Sequence, residues 1–349
     1  MSIFLDSIFS SIALSHLMVD TFNSARPVLL TYFGLSESEI AIFTTIYIWA
    51  SALTQPLFGW LSDKTGPRWL AGGSVLWMAI FFSGALFFSG NIGLICLVIA
   101  AFGSSGFHPV GAVQATLRGR DLLAGKETTP TALFFMAGQI GHFIGPIMTG
   151  FILAYYETPG LYILPIISIP IGISLLYQLR ANRPHPKVEK TSKNNHVEVS
   201  LTFILVLAIV AALQSWAQSN MVNLIPKYIK DLGQSATVYG SMAGLFMGGS
   251  ALGNILGGYL GDRYTKRFVA AGVLFLSAIP IYISSLIGWS GWLYVLIPLA
   301  GALTGAVHSI MVVLAQRIIP GSMALASGLV LGFIFFSRCA RFTVYRSSG

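Results

Sequence analysis

The chain of 349 residues is 55% hydrophobic and only 9% charged, with a formal net charge of +8. Soluble domains carry about 25% charged residues, so this composition excludes an ordinary soluble protein. The apolar residues form continuous blocks of roughly 20, the length that crosses a ~30 Å hydrocarbon layer as a helix. Because backbone groups inside lipid must be satisfied within a helix or a closed barrel, unbroken blocks predict an all-α polytopic membrane protein.

The apolar blocks predict eleven helical spans in two groups. Between the groups, residues 181–199 form the only long hydrophilic stretch, which predicts a solvated cytoplasmic linker between an N-terminal bundle, 1–180, and a C-terminal bundle, 200–349. The predicted spans are 7–32, 39–61, 69–89, 91–113, 131–156, 160–180, 201–226, 236–261, 268–288, 291–315 and an eleventh that begins near 324.

Lysine and arginine are concentrated in alternate loops, and the loops between these hold only Lys227 and Lys230. Cytoplasmic loops carry the excess of basic residues, so we expect a multi-pass protein of the inner or plasma membrane with a cytoplasmic N-terminus. The positive charge is therefore a topology signal and gives little support to a nucleic-acid partner. The two cysteines, Cys96 and Cys339, indicate neither a disulfide framework nor a metal site, and no cofactor is predicted.

The second half of the sequence repeats the first. A shift of 199 residues aligns the halves without a gap over about ninety residues. Two copies of a six-span unit enter the membrane in the same orientation, which is a standard plan of transporters with the substrate site near the midplane. The aligned pairs include Pro27 with Pro226, Gly34 with Gly233, Ser36 with Ser235, Asp63 with Asp262, Arg68 with Arg267, Gly106 with Gly305 and Arg118 with Arg317.

The loop after the second span, GWLSDKTGPR from Gly59 to Arg68, resembles the signature loop of the major facilitator superfamily. A weaker copy, GYLGDRYTKR, follows at the repeat spacing in the second half. The resemblance implies two six-helix bundles with a gate at the cytoplasmic side, where an Asp at a helix end is held by basic residues; the alternative is a merely solvated charged turn. The implied gate residues are Gly59, Asp63, Lys64, Arg68, Asp262, Arg263 and Arg267.

The fifth span contains a series of small residues, Gly141, Gly145, Pro146 and Gly150. This series resembles the glycine-proline motif of the same superfamily, which is more typical of exporters. Small residues four positions apart also allow helices to approach closely. Plain helix packing therefore remains an alternative to a functional role.

The first span carries His16, Asp20, Asn23 and Arg26. Ionisable residues inside a membrane are costly and mark functional sites by default, and residues four apart stack on one helix face. An Asp next to a histidine can take up and release a proton, which is what proton coupling requires. A buried pair that only holds helices together is the alternative, and Arg26 could either reach the interface or bind an anionic substrate.

His108 precedes a proline in the fourth span, and His142 lies in the fifth. His108-Pro109, the His16 and Asp20 pair and the glycine series together resemble the fosmidomycin-resistance branch of the superfamily. That resemblance implies a proton-coupled efflux antiporter of small, anionic or drug-like molecules. We expect the chain to act as a monomer in the bilayer. The branch carries an acidic residue where this chain has Val110, so a proton role would fall on His108 or shift to His16 and Asp20.

Four other functions compete with proton-driven efflux, namely proton-driven uptake, hydrolysis, ATP-driven transport and a channel. An uptake symporter shares the fold and the proton chemistry. An intramembrane hydrolase could use Ser104 with His108, but nothing in the sequence supplies an oxyanion hole, so we expect no enzyme. ATP-driven transport has no support because the chain lacks a phosphate-binding loop, and a channel would not need the repeat.

The repeat also predicts where the eleventh span should lie, at about 330–355. Instead the apolar run ends at Ser337 and is followed by Arg338, Arg341 and Arg346. Arginines are hard to insert into a membrane span. We therefore expect an incomplete second bundle, with about 10–11 of 12 spans, from a truncated or out-of-frame C-terminus, and a product that transports nothing is a further alternative to efflux.

Overall fold

The computed structural model describes residues 5–122, 128–181 and 201–318, and these residues form ten α-helices and no strand. The prediction of an all-α fold is confirmed. The linker and the eleventh span lie outside the described residues. The helices are α1 (Ser7–Tyr32), α2 (Glu37–Thr65), α3 (Pro67–Phe87), α4 (Gly90–Leu122), α5 (Thr128–Gly160), α6 (Ile163–Gln178), α7 (Leu201–Asp231), α8 (Ala236–Arg263), α9 (Lys266–Leu286) and α10 (Leu293–Ile318).

Six of the described helices are long and apolar enough to cross a membrane, namely α2 to α6 and α9. The first helix falls outside this set because its polar side chains lower its hydropathy. These side chains, which include His16, Asp20 and Arg26, are buried inside the bundle. The helix therefore turns its polar residues toward neighbouring helices, as expected for a helix that lines the centre of a membrane protein.

The sequence repeat is also a repeat of backbone conformation. Gly34 after α1 has φ +80°, and its counterpart Gly233 after α7 has φ +79°. Ser36 and Ser235, which precede α2 and α8, have nearly identical φ/ψ angles of −68°/163° and −69°/163°. A left-handed residue is the usual way to end a helix, and only glycine adopts it without strain. The two halves thus turn from one helix into the next in the same way.

The halves contact each other on the side of the bundle where α1 ends. A Cβ atom on Gly150 of α5 would lie 2.3 Å from the carbonyl oxygen of Ala236, at the start of α8. On the same side, Lys230 Nζ donates a hydrogen bond of 2.7 Å to the carbonyl oxygen of Thr31. These contacts hold the two bundles together at this side.

The close approach of α5 to α1 depends on glycine, and this gives a prediction about stability. A Cβ atom on Gly141 would lie 2.3 Å from the carbonyl oxygen of Leu17, so Gly141→Ala forces the two helices apart. Overpacking of this kind costs about 1–3 kcal/mol, and we expect a lower thermal unfolding temperature in detergent.

Gly272 in α9 provides the matched control, because nothing lies within 4 Å of a Cβ atom there. Gly272→Ala should leave the unfolding temperature unchanged or raise it slightly, since alanine favours helix over glycine. Equal unfolding temperatures for Gly141→Ala and Gly272→Ala would show that the α1–α5 contact is looser than described.

Candidate functional site

The carboxylate of Asp20 lies among three imidazole rings from three helices. His16 Nε2 is 3.1 Å from Asp20 Oδ2, and His108 Nε2 on α4 is 3.2 Å from Asp20 Oδ1. His142 Nε2 on α5 is 3.7 Å from Asp20 Oδ2. The Asp20 side chain is only 7% exposed. We call His16, Asp20, His108 and His142 the Asp20 cluster; the structure brings together residues that the sequence placed on three separate spans.

Two of the rings are held by backbone carbonyl groups. His16 Nδ1 is 2.7 Å from the carbonyl oxygen of Phe134, and His108 Nδ1 is 2.7 Å from the carbonyl oxygen of Ser104. A carbonyl oxygen can only accept, so each Nδ1 carries the hydrogen. Each Nε2 then faces the carboxylate and needs a further proton, on the ring or on Asp20, to form a hydrogen bond. The cluster is therefore built to accommodate added protons.

Glycine residues in α5 make room for the cluster. A Cβ atom on Gly138 would lie 2.5 Å from Asp20 Oδ2, and one on Gly145 would lie 2.3 Å from Ser24 Oγ. The Ser24 hydroxyl has the carbonyl oxygen of Gly141 as one acceptor, at 3.2 Å. The predicted glycine series thus lies against α1 and the start of α8, and its close packing is what brings His142 next to Asp20.

Hydrogen bonds lead from the Asp20 cluster toward Arg26. Asn23 Nδ2 donates to Asp20 Oδ1 at 3.0 Å and to Ser104 Oγ at 3.0 Å. The Tyr47 hydroxyl donates to Asn23 Oδ1 at 2.6 Å, and the Arg26 guanidinium carbon lies 4.3 Å from the centre of the Tyr47 ring. A change in the protonation of the carboxylate can therefore affect the guanidinium through Asn23 and Tyr47.

Arg26 is buried between the two halves, with 6% of the residue exposed. Its Nη1 donates to Thr44 Oγ1 at 3.1 Å, and its Nη2 donates to Asn223 Oδ1 on α7 at 3.1 Å. The side chain therefore points into the bundle and does not reach for the membrane surface. A guanidinium with oriented donors at this place is suited to bind an anionic group.

Sequence reasoning missed Tyr47, Thr44 and Asn223, although a signal for them was present. Polar residues recur along one buried face of α2 and again along α7 at spacings of three or four, which is the period of a helix face. Such a stripe within an apolar block predicts a face turned toward a polar interior. The buried stripe residues are Thr44, Tyr47, Ser51 and Gln55 in α2 and Gln214, Ser215, Ser219 and Asn223 in α7.

The predicted gate residues lie near the other side of the bundle, where α1 begins. Lys64 Nζ packs 3.9 Å from the centre of the Trp60 ring, and Arg68 Nε donates to the carbonyl oxygen of Leu176 at 3.1 Å. The ion pairs recorded among the described residues do not include Asp63. Lys64 and Arg68 are thus engaged with groups other than this carboxylate.

The remaining gate residues occupy the same side. A Cβ atom on Gly59 would contact Pro109 at 3.7 Å. Arg263 Nη1 donates to the Tyr259 hydroxyl at 3.2 Å, and the Arg267 guanidinium carbon lies 4.8 Å from the centre of the Phe268 ring. Asp262 belongs to α8, and its side chain lies outside the described part of the chain.

An ion pair that the sequence did not predict joins α1 to α4 on this side. Asp6, which caps the N-terminus of α1, pairs with Arg118, and Arg118 Nε donates to Asp6 Oδ1 at 3.1 Å. Burial raises the pKa of the Asp6 carboxyl, but the Arg118 guanidinium and the backbone N–H of Phe9 outweigh burial and hold this pKa below its usual value. The pair is therefore intact at neutral pH.

The geometry at Ser104 argues against a hydrolase. Ser104 Oγ lies 3.4 Å from His108 Nδ1. That nitrogen already donates its hydrogen to the Ser104 carbonyl oxygen, so it cannot take the proton of the hydroxyl as a general base must. Ser104 instead accepts the hydrogen bond from Asn23 described above.

Comparison with known proteins identifies relatives over nearly the whole chain. The chain is 28% identical over 347 residues to the "Fosmidomycin resistance protein" of Escherichia coli strain K12, covering 94% of this chain and 82% of that protein. It is 26% identical over 342 residues to the "Uncharacterized MFS-type transporter YfnC" of Bacillus subtilis strain 168, covering 93% of this chain and 82% of that protein. A "Multidrug resistance protein B homolog" of Mycobacterium tuberculosis is 29% identical over 168 residues, 47% of this chain and 29% of that protein.

A solved structure has the same fold. The inward-facing, occupied "Bacterial Homolog to Human Lysosomal Transporter, Spinster" superposes with a TM-score of 0.74 at 12% sequence identity, covering 95% of this chain and 78% of that one. The family model of the Major Facilitator Superfamily matches residues 8–340 of this chain. These findings confirm the resemblance drawn from the signature loops and the expectation that the chain is not an enzyme. The chain belongs to the Major Facilitator Superfamily and is a multi-pass membrane transporter.

Proposed function

We propose that this chain is a proton-coupled antiporter that exports a small anionic or drug-like molecule. The observation that carries the proposal is the Asp20 carboxylate held between three imidazole rings and joined through Asn23 and Tyr47 to the buried Arg26. The first site binds protons and the second suits an anion. The names of the fosmidomycin-resistance and multidrug-resistance relatives support export of a drug-like compound.

Coupling follows from the hydrogen bonds between the two sites. Asn23 donates to Asp20 Oδ1, and a proton on that oxygen would remove an acceptor. Asn23 must then reorient, and the Tyr47 hydroxyl, which donates to Asn23 Oδ1, changes partner as well. Tyr47 lies against the Arg26 guanidinium. Protonation of the cluster therefore alters the surroundings of the proposed anion site.

One observation favours proton-coupled uptake as a second candidate function. A proton on the cluster neutralises the negative charge of Asp20, which lies only two side chains from Arg26. Loss of this negative charge removes a repulsion of an anion bound at Arg26, which favours binding of proton and anion together. Antiport instead requires that protonation weaken anion binding. The rearrangement of Asn23 and Tyr47 must then lower the affinity by more than this electrostatic effect raises it.

The orientation belongs to the same proposal. The basic loops and the Asp6–Arg118 pair lie where α1 begins, and we place this side at the cytoplasmic face of the inner or plasma membrane. The side at which the halves meet, marked by Gly150 and Lys230, is then external. The carrier acts as a monomer, because substrate and proton sites lie within one chain.

The proposal is tested by flux into proteoliposomes that contain the purified chain, with labelled fosmidomycin as the probe. Antiport predicts accumulation of the probe when the lumen is acidic, because protons leaving the lumen drive the probe inward. Symport predicts accumulation when the outside is acidic. These outcomes do not depend on which way the protein is inserted. A flux of fosmidomycin that responds to neither gradient would contradict proton coupling.

A further inference from the structure

We propose that the Asp20 cluster is also a binding site for a divalent transition-metal ion of the Zn²⁺ class. The cluster offers four ligand groups, which are the imidazoles of His16, His108 and His142 and the Asp20 carboxylate, whose Oδ2 faces His16 and His142 and whose Oδ1 faces His108. The ligand atoms of His16, Asp20 and His108 all lie within 4.8 Å of one another. Three imidazoles with one carboxylate make a four-coordinate set of the kind that Zn²⁺ takes.

The distances are close to those of a metal site. Ligand atoms around a tetrahedral ion lie about 3.3 Å apart when the metal–ligand bonds are about 2.05 Å long. The contacts of Asp20 with His16 and His108 already measure 3.1 and 3.2 Å, and the contact with His142 measures 3.7 Å. The contacts of Asp20 are thus within about 0.4 Å of the separation that a bound ion requires.

The rings are also held as metal-binding histidines are held. A histidine that binds metal through Nε2 almost always donates its Nδ1 hydrogen to a carbonyl or a carboxylate, which fixes the tautomer and the ring direction. His16 donates to the carbonyl oxygen of Phe134 and His108 donates to that of Ser104. Both rings thus present the Nε2 lone pair to the centre of the cluster without further rearrangement.

The ligand types select the class of ion. Imidazole nitrogen suits Zn²⁺, Co²⁺, Ni²⁺ and Cu²⁺, whereas Mg²⁺ and Ca²⁺ prefer sites built of oxygen atoms. Asp20 contributes the one carboxylate among the four residues, so a bound dication leaves a single net positive charge. No metal site was predicted from the sequence, because the four residues of the Asp20 cluster lie on three different spans, 1, 4 and 5.

The cluster is not completely enclosed. The side chains of His108 and His142 are 18% and 26% exposed, whereas those of His16 and Asp20 are 3% and 7% exposed. An ion that first binds to the more exposed His108 and His142 can then bind to the buried His16 and Asp20. Bound there, it would occupy the place where protons bind, so Zn²⁺ should inhibit transport; this consequence alone rests on the proposed function.

Metal binding is tested on the purified full chain in detergent, without any transport assay. The starting protein carries His185→Gln and His196→Gln, which remove the two imidazoles of the linker. We expect it to bind one Zn²⁺ per chain by isothermal titration, and Co²⁺ to give the visible absorption of a tetrahedral ion with nitrogen ligands. Loss of a supporting residue around a metal ligand already costs about 10–100-fold in affinity, so His16→Gln and His108→Gln should each weaken binding by at least about 100-fold.

His308→Gln, in the second half of the sequence, is the control; it should leave the affinity unchanged. Thermal unfolding without metal shows whether each variant is folded, and His142→Gln provides a third variant at the most exposed ligand. Absence of Zn²⁺ binding, or binding that survives both His16→Gln and His108→Gln, would overturn the metal site. Neither result bears on proton coupling, which is measured by flux.

Discussion

Asp20→Asn is expected to reduce fosmidomycin flux driven by a pH gradient to the level of liposomes without protein. Asparagine has the size of aspartate, and its carbonyl oxygen can still accept from Asn23. The asparagine introduced at position 20, however, cannot take up a proton or carry a negative charge. The His16 and His108 rings then lose the charged partner that they contact at 3.1 and 3.2 Å, so protonation of the cluster no longer follows the gradient.

The same variant should keep exchange of labelled for unlabelled fosmidomycin at equal pH. This exchange moves substrate in both directions without net proton flow, so it separates a loss of coupling from a loss of folding. Asp231→Asn is the matched control, because that carboxylate pairs with Lys227 at the exposed end of α7. An Asp20→Asn protein that still accumulates the probe against a pH gradient would contradict the role given to this residue.

Replacement of Arg26 is the second change with a large expected effect. Hydrogen bonds to charged groups contribute about 1.5–3 kcal/mol, so Arg26→Gln should weaken binding of an anionic probe by about 10–100-fold. Arg26→Lys keeps the charge but loses the planar fork that donates to Thr44 and Asn223, and should give an intermediate affinity. Fosmidomycin binding by isothermal titration at fixed pH measures both.

The control for Arg26 is Lys227→Gln, which removes a positive charge at the end of α7. It should leave the affinity for fosmidomycin unchanged. An uncharged drug-like probe should also bind equally to the wild-type and Arg26→Gln proteins. If Arg26→Gln binds fosmidomycin as tightly as the wild-type chain does, the anion site lies elsewhere.

Much of the fold could be predicted from the sequence because lipid leaves few choices. Continuous apolar blocks can only be helices, and the predicted spans agree with α1 to α10 to within a few residues at most ends. The larger differences have a local cause, as in α4, which continues past the predicted end at 113 to Leu122. That extension is polar and brings Arg118 to Asp6, so it stabilises the bundle without lying in an apolar block.

The candidate site could be predicted only in part. Residues on one helix face were placed correctly relative to each other, as His16 and Asp20 show. Contacts between helices could not be derived, because helix periodicity does not say which faces meet. The convergence of His108 and His142 on Asp20 depends on how closely α4 and α5 approach α1. That approach is determined by glycines such as Gly138, whose effect appears only when the neighbouring helix is known.

The turns at Gly34 and Gly233 match in backbone conformation, yet the two halves differ in the side chains at the positions of the Asp20 cluster. The second-half counterparts of His16, Asp20 and Arg26 are Ser215, Ser219 and Ile225. At these three positions the first half therefore has ionisable side chains and the second half has neutral ones. A second-site mutation that restores function to an Asp20 variant should then be sought first among the neighbours of α1 and not at the symmetry-related position.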